Sequence, residues 1–187
     1  MKTRCKWSTT NPLLAEYHDK VWGVPIHYDL LLFEHLSLGG TQAGLSWLTI
    51  LKRRGGYKKA FSGFDPEKVA QFKSEKIETL LENPGIIRNR QKVNSVVNNA
   101  ALILEIINEY GSLNDYLWKF TEGKSIQNSW EEESELPVNT KESDNMSKEL
   151  KSRGFKFIGT TICYAFMQAV GMVNDHTMDC FRYSELS

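Results

Sequence analysis

The stretch LKSRGFKFIGTTICYAFMQAVGMVNDHTMDC, residues 150–180, decides how this chain is read. It opens on the end of a helix predicted from about 144 to 153, which stops at Gly154. GFKFIG (154–159) then turns the chain, and a glycine at each end permits tight backbone geometry. TTICYAFMQAV follows as a second, apolar helix that stops at Gly171. The stretch closes on NDHTMDC (174–180), where His176 and Cys180 stand four apart. On a helix that spacing puts both side chains on one face. The pair looks like half of a zinc site.

Helix signals continue outward from this point. Asn11-Pro12 is an N-cap followed by Pro at the first helical position, opening LLAEYHDKVW. Asp29 is predicted to cap LLLFEHLSL, which stops at Gly39-Gly40. LSWLTILKRR (45–54) is amphipathic and ends at Gly55-Gly56. Asp65-Pro66 begins a short helix, and Ser74 begins EKIETLLE, which ends at Asn83-Pro84-Gly85. Residues 88–109 form one long helix with Val93, Val96, Val97, Ala100, Leu104 and Ile107 on a stripe. No segment alternates with period two between hairpin turns. The expected fold class is all-α. The length of 187 residues points to a single domain, 1–187, of two helical lobes sharing a core. The polar, acidic residues 121–143 read as an excursion over the surface.

No apolar run approaches ~18 residues, so no membrane span is expected. MKTRCKWSTT at the start lacks the apolar stretch of a signal peptide, and a cytoplasmic location is the expectation. Cys5, Cys163 and Cys180 are too few for a disulfide scaffold; in a reducing compartment they are thiols or metal ligands. Formal charge cancels, with 23 basic and 23 acidic residues. Its distribution is uneven: KRRGGYKK (52–59) and IIRNRQK (86–92) carry no acid, and EEESE (131–135) carries four. A basic face on a neutral molecule and ordinary solvated helix faces both account for these clusters.

Cys5 and His18 are the remaining ligand candidates near the start. Cys5-x12-His18 with His176-x3-Cys180 makes a Cys2His2 donor set suited to tetrahedral zinc. Buried thiols and surface histidines account for the same residues. A metal site here would clamp the chain ends together, and four protein ligands leave no position for water, so its role would be structural.

Four stretches, YHDKVWGVP (17–25), QAGLSWLTILK (42–52), GIIRNRQKV (85–93) and LKSRGFKFIGTTICYAFMQAVGMVNDH (150–176), together resemble the bacterial type I 3-methyladenine DNA glycosylases. The resemblance covers nearly the whole chain, in order. It implies the helix-hairpin-helix glycosylase fold, with the hairpin over about 144–171. It also implies one structural zinc per chain, held by Cys5, His18, His176 and Cys180 in the end segments 5–18 and 176–180. The implied substrate is double-stranded DNA containing alkylated adenine, the product is free 3-methyladenine, and the enzyme acts as a monomer. Free N–H groups at the start of the second hairpin helix form an anion site for a DNA phosphate. Gly159, Thr160 and Lys156 belong to that site, and Lys148, Lys151 and Arg153 add positive charge nearby. An ordinary αα-hairpin is the alternative for this piece alone.

A base inside a duplex must be rotated out before it is excised. By the same resemblance, Gly44-Leu45 enters the gap left in the DNA. Tyr17, Trp47, Trp22 and Trp7 are the candidates for an aromatic base slot. Methylation at N3 makes adenine cationic, so its glycosidic bond is already weak and the base leaves without a general acid. No lysine is implied as a Schiff-base nucleophile, and the expected enzyme is monofunctional. One departure stands out. Gly39 occupies the position where the family has its pocket glutamate. Glu34 lies five residues earlier, about 500° of helical rotation away, and is no substitute. Asp175 is a candidate for a catalytic carboxylate or a helix cap. The competing readings are a base-excision glycosylase, a lesion-binding protein that cuts poorly for want of the glutamate, and a zinc-stapled nucleic-acid binder without a base pocket.

Overall fold

The computed structural model describes residues 2–187. Eleven α-helices carry the described residues: α1 (Pro12–Lys20), α2 (Asp29–Gln42), α3 (Trp47–Leu51), α4 (Arg54–Ala60), α5 (Pro66–Val69), α6 (Ser74–Glu82), α7 (Arg90–Tyr110), α8 (Leu113–Trp118), α9 (Lys141–Ser152), α10 (Thr160–Ala169) and α11 (Phe181–Glu185). The chain is mostly helical, as expected. A two-residue parallel pairing of β1 (Ile126–Gln127) with β2 (Val173–Asn174) departs from a strictly all-α chain; it ties the surface excursion to the segment after α10. Among the described residues no helix is long and apolar enough to cross a membrane.

Several helix ends fall where local chemistry predicts. Asn11 accepts from the Leu13 N–H with Pro12 at the first position, and Asp65 accepts from Glu67 and Lys68 ahead of α5. Others are corrected by packing. α2 does not stop at Gly39-Gly40 but runs on to Gln42. Gly40 instead serves close approach: a Cβ there would lie 3.0 Å from the Phe157 carbonyl oxygen. Asp29 does not cap its own helix. Its carboxylate accepts from the Leu113 and Asn114 N–H groups and caps α8 from across the fold. Gly55 and Gly56 lie inside α4. A Cβ on Gly56 would meet the Gly85 carbonyl oxygen at 2.2 Å, so this glycine also permits contact. α9 begins three residues before the predicted start, where Thr140 and Ser143 form a capping box. In α7 the buried stripe is Val93, Val96, Ala100, Ile103 and Ile106, rotated from the predicted one at its C-terminal end.

One large core joins α2, α4, α7, α8, α9 and α10. A smaller cluster gathers Cys5, Tyr17, Trp22, Leu51, Ala169 and Cys180 where the chain ends meet. Trp47 packs against both. The α9–α10 hairpin is fixed to α7 by Asn99, which accepts from the Lys156 N–H at 2.9 Å and donates to the Lys156 carbonyl at 3.0 Å. Asn98 donates to the Gly154 carbonyl and Ser147 to that of Ile158. Gly154 ends α9 with φ +97°, a conformation other residues adopt only with strain.

Candidate active site

Cys5, His18, His176 and Cys180 come together although up to 175 residues separate them in sequence. Their donor atoms all lie within 4.8 Å of one another, and all four residues are buried. Cys5 Sγ is 3.6 Å from His176 Nδ1, and Cys180 Sγ is 3.4 Å from His18 Nε2 and 3.5 Å from His176 Nδ1. The two imidazole nitrogens are 3.2 Å apart. This group could hold a metal ion. Each histidine also engages an outer acceptor through its other ring nitrogen. His18 Nδ1 lies 2.9 Å from Asp19 Oδ1, and His176 Nε2 lies 3.2 Å from the Trp22 carbonyl. Such partners set the tautomer that frees the ligating nitrogen. Asp19 is itself gripped by Arg4, whose hydrogen bonds hold its carboxyl down at about 2. Cys180 is drawn toward thiolate by its neighbour Cys5 and the two imidazoles, while the same pairing and burial push Cys5 up. The helix predicted for His176 and Cys180 is not there. Both sit in a turn that precedes α11, with Cys180 as that helix's N-cap residue.

The Cys5, His18, His176 and Cys180 group adjoins, through Trp22, a cavity of about 260 Å³. That volume is smaller than the ~300 Å³ at which drug-sized pockets begin, and suits a single flat ring system. Tyr17, Trp47, Trp22, Trp7 and Gly39 all line it. Tyr17 and Trp47 are 5.3 Å apart between ring centroids, and Trp7 and Trp22 are 5.1 Å apart and near perpendicular. Trp22 continues edge-on to His176 at 4.6 Å, so the Cys/His group and the cavity wall are one packed unit. Burial raises the Tyr17 pKa and keeps its hydroxyl protonated.

The cavity also holds residues that sequence reasoning missed. His35, Gln42 and Gln168 line it. His35 precedes Gly39 by one turn of α2, an i, i+4 relation that was legible once Gly39 was singled out. Gln168 is oriented by Asp175, whose first oxygen accepts from Asn128 and Trp130 and whose second accepts from Tyr164 and Gln168. Asp175 is 1% exposed. With four donors on two oxygens, it is an anchor between α10 and the surface excursion, neither a helix cap nor a free base. Glu34 is buried and paired to Arg54, away from the cavity.

Gly44 has φ +76° and Leu45 is 38% exposed, on a loop leaving α2. Lys92 on α7, the last residue of the basic run 86–92, donates to the Ala43 carbonyl at 2.6 Å and pins that loop; the run did not show what it holds. Lys156 is exposed at the hairpin, and Gly159 is the N-cap residue of α10. Thr160 is not free there, because its hydroxyl bonds to the Asp144 carboxylate. Arg153 is paired with Glu109, which removes one charge from the expected basic set.

Together these features define a helical protein with a base-sized aromatic cavity set against its joined chain ends. The methyladenine glycosylase family pattern matches residues 7–183. The DNA-3-methyladenine glycosylase 1 of Escherichia coli (strain K12) is 46% identical over 180 residues, covering 96% of each chain. The DNA-3-methyladenine glycosylase of Haemophilus influenzae (strain ATCC 51907 / DSM 11121 / KW20 / Rd) is 43% identical, covering 96% of this chain and 97% of that one. A solved structure on 3-methyladenine recognition by the Staphylococcus aureus 3-methyladenine DNA glycosylase I superposes with a TM-score of 0.92 at 39% identity, covering 95% of each. The chain belongs to the methyladenine glycosylase family.

Proposed function

We propose that this protein is a base-excision glycosylase that hydrolyses the N-glycosidic bond of 3-methyladenine in alkylated double-stranded DNA. The observation that carries this reading is the cavity of Tyr17, Trp47, Trp22 and Trp7 in a chain of this family. Stacking on such rings contributes ~1–3 kcal/mol per base, and a cationic base gains further from electron-rich ring faces. That offsets part of the few kcal/mol needed to unstack the lesion. Leu45, exposed at the tip of its loop, fills the vacated stack. The hairpin turn with Lys156 and the α10 N-terminus at Gly159 and Thr160 receive a backbone phosphate. The cationic base departs neutral with the bonding electrons, and water adds to the sugar carbon and gives up a proton to solvent, leaving an abasic sugar. The protein's part is to desolvate and orient, and no protein nucleophile is required, so the strand is left uncut. The whole chain, 1–187, acts as one domain and as a monomer.

The Cys5, His18, His176 and Cys180 group fits zinc. With zinc–sulfur bonds of ~2.3 Å and zinc–nitrogen bonds of ~2.0–2.1 Å, a tetrahedron has sulfur–nitrogen edges of about 3.6 Å and a nitrogen–nitrogen edge of about 3.3 Å. The distances here are 3.4–3.6 Å and 3.2 Å. Zinc bound there supplies a structural clamp with no open coordination position. Its ligands would hold the first and last segments together and, through His176 against Trp22, brace the cavity wall.

A second reading, a lesion binder that cuts poorly, is favoured by Gly39 alone, since no carboxylate lines the cavity. The experiment that separates the two is single-turnover release of 3-methyladenine from methylated duplex, with a strand-cleavage control. Release without nicking supports the glycosylase. Tight lesion binding with no release above the spontaneous rate would leave the binder.

A further inference from the structure

Gln168 lines the base cavity from the C-terminal end of α10. Its backbone carbonyl is already taken, accepting from the Gly23 and Gly171 N–H groups, so the side-chain amide is what it offers a ligand. Asp175 sets which end of that amide is free. The carboxylate is 1% exposed and receives Asn128 and Trp130 on one oxygen and Tyr164 and Gln168 on the other. An indole N–H only donates, and an ionised carboxylate only accepts. The Gln168 atom 2.8 Å from Asp175 Oδ2 is therefore Nε2, and Oε1 lies on the other arm of the amide. Oε1 has no hydrogen-bond partner among the described residues. Nor is it closed to contact, as the unpartnered atoms of His35, Trp47, Tyr116 and Arg182 are. An open acceptor of fixed identity thus stands on a wall where no acidic side chain does. Gln42 lines the same cavity, but among the described residues no side-chain hydrogen bond fixes its amide.

We propose that Gln168 is a specificity-determining residue, accepting through Oε1 from the exocyclic amino group of 3-methyladenine, and that Asp175 is the positioning residue that holds it as an acceptor. This rests on the base-pocket reading above and deepens it. The chemistry of the base decides which edge meets Gln168. With N3 methylated, the amino group at C6 carries the only N–H donors, whether the base is free or still joined to the sugar. A fixed acceptor therefore bonds the base there or not at all. The amino group donates more strongly while the base is cationic than after it leaves neutral, so the contact favours the bound substrate and selects among bases; it does not drive bond cleavage. Gln168 supplies this acceptor without burying a charge, in a chain whose Gly39 supplies none.

The test titrates the full-length protein with free 3-methyladenine and with free 3-methylpurine, which lacks the amino group, read by tryptophan fluorescence. Wild type, Gln168→Met and Asp175→Asn are compared, with folding checked by melting. Wild type should bind 3-methyladenine ~5–10-fold more tightly, the size of one neutral hydrogen bond. Gln168→Met removes the amide oxygen at similar length and should bring the two bases to within about twofold. In Asp175→Asn the remaining oxygen is claimed by Asn128 and Trp130, and the new N–H faces Gln168. The Gln168 amide should then turn over and present Nε2 to the cavity, so this variant should bind 3-methylpurine as tightly as 3-methyladenine or more so. A merely structural role would weaken both bases alike and keep their ratio, and that result in a folded variant overturns the proposal. Equal binding of the two bases by wild type overturns it as well. If both variants unfold, the wild-type ratio alone decides. If wild type binds neither base, the base-pocket reading itself falls.

Discussion

Gly39→Glu should accelerate release of 3-methyladenine by roughly ten- to hundredfold. The residue lies inside α2, lines the cavity, and has no left-handed backbone to strain a larger side chain. A Cβ would meet Ile162 Cγ2 at 3.7 Å, an ordinary contact, so the helix has room for the change. Replacing a mid-helix glycine also favours the helix by ~0.5–1 kcal/mol. The new carboxylate would stand one turn from His35 on the same wall, and desolvating a charge there offsets part of what it contributes. Toward a cationic base it would accept a hydrogen bond from the amino group. A charged hydrogen bond contributes ~1.5–3 kcal/mol, and ~1.4 kcal/mol is tenfold. The same carboxylate would repel a keto oxygen, so base preference should move toward 3-methyladenine. The assay is single-turnover base release from methylated duplex with enzyme in excess, on two proteins shown to be folded by melting. Equal rates would refute the reasoning, since a carboxylate on this wall would then have no influence on the leaving base.

Cys180→Ser should reduce bound zinc from one equivalent toward zero by metal analysis. It should lower the melting midpoint by roughly 6–12 °C if the clamp contributes about 3 kcal/mol, and weaken free-base binding because His176 braces Trp22. Leu45→Ala should weaken binding to abasic-site duplex while leaving free-base affinity alone and changing stability by less than ~0.5 kcal/mol, measured by titration and melting. Lys92→Met should weaken abasic-site binding in the same assay, because the Ala43 carbonyl loses its anchor and the Leu45 loop loosens. The His35 pKa lies near 3 in the fold against 6.5 for the ordinary side chain. The unfolded chain therefore takes up a proton that the native state refuses. Stability from this group is complete above pH 6.5 and falls by at most ~1.4 kcal/mol per unit as pH drops from there toward 3. A denaturation series over pH 4.5–8 should show that slope, and His35→Phe should reduce it.

Part of the cavity was legible in the sequence. Gly39, Tyr17, Trp47, Trp22 and Trp7 were singled out through the family resemblance, and they line one cavity. Cys5, His18, His176 and Cys180 were paired as a donor set, and they converge. His35 escaped because a lone histidine in an apolar helix carries no motif. Its place on the cavity wall depends on how α2 is packed, and its lowered pKa on burial and on Arg54, which arrives from α4. The roles of Lys92 and Asn99 escaped because what they hold is backbone carbonyl and amide groups far away in sequence, and such partners leave no mark on local pattern.

The sequence by itself determined that the chain is mostly helical, where several helices begin, and that Cys and His donors stand near both ends. Those are local matters of periodicity, capping and donor identity. Only the tertiary structure decided what the glycines and acids near helix ends do. Gly40 and Gly56 admit a neighbouring backbone rather than stop a helix, and Asp29 caps a helix 84 residues away. Asp175 is saturated by four donors from two segments. A short polar side chain, or the lack of any side chain, satisfies the nearest partner in space. Local sequence fixes that partner only when it is also the nearest along the chain.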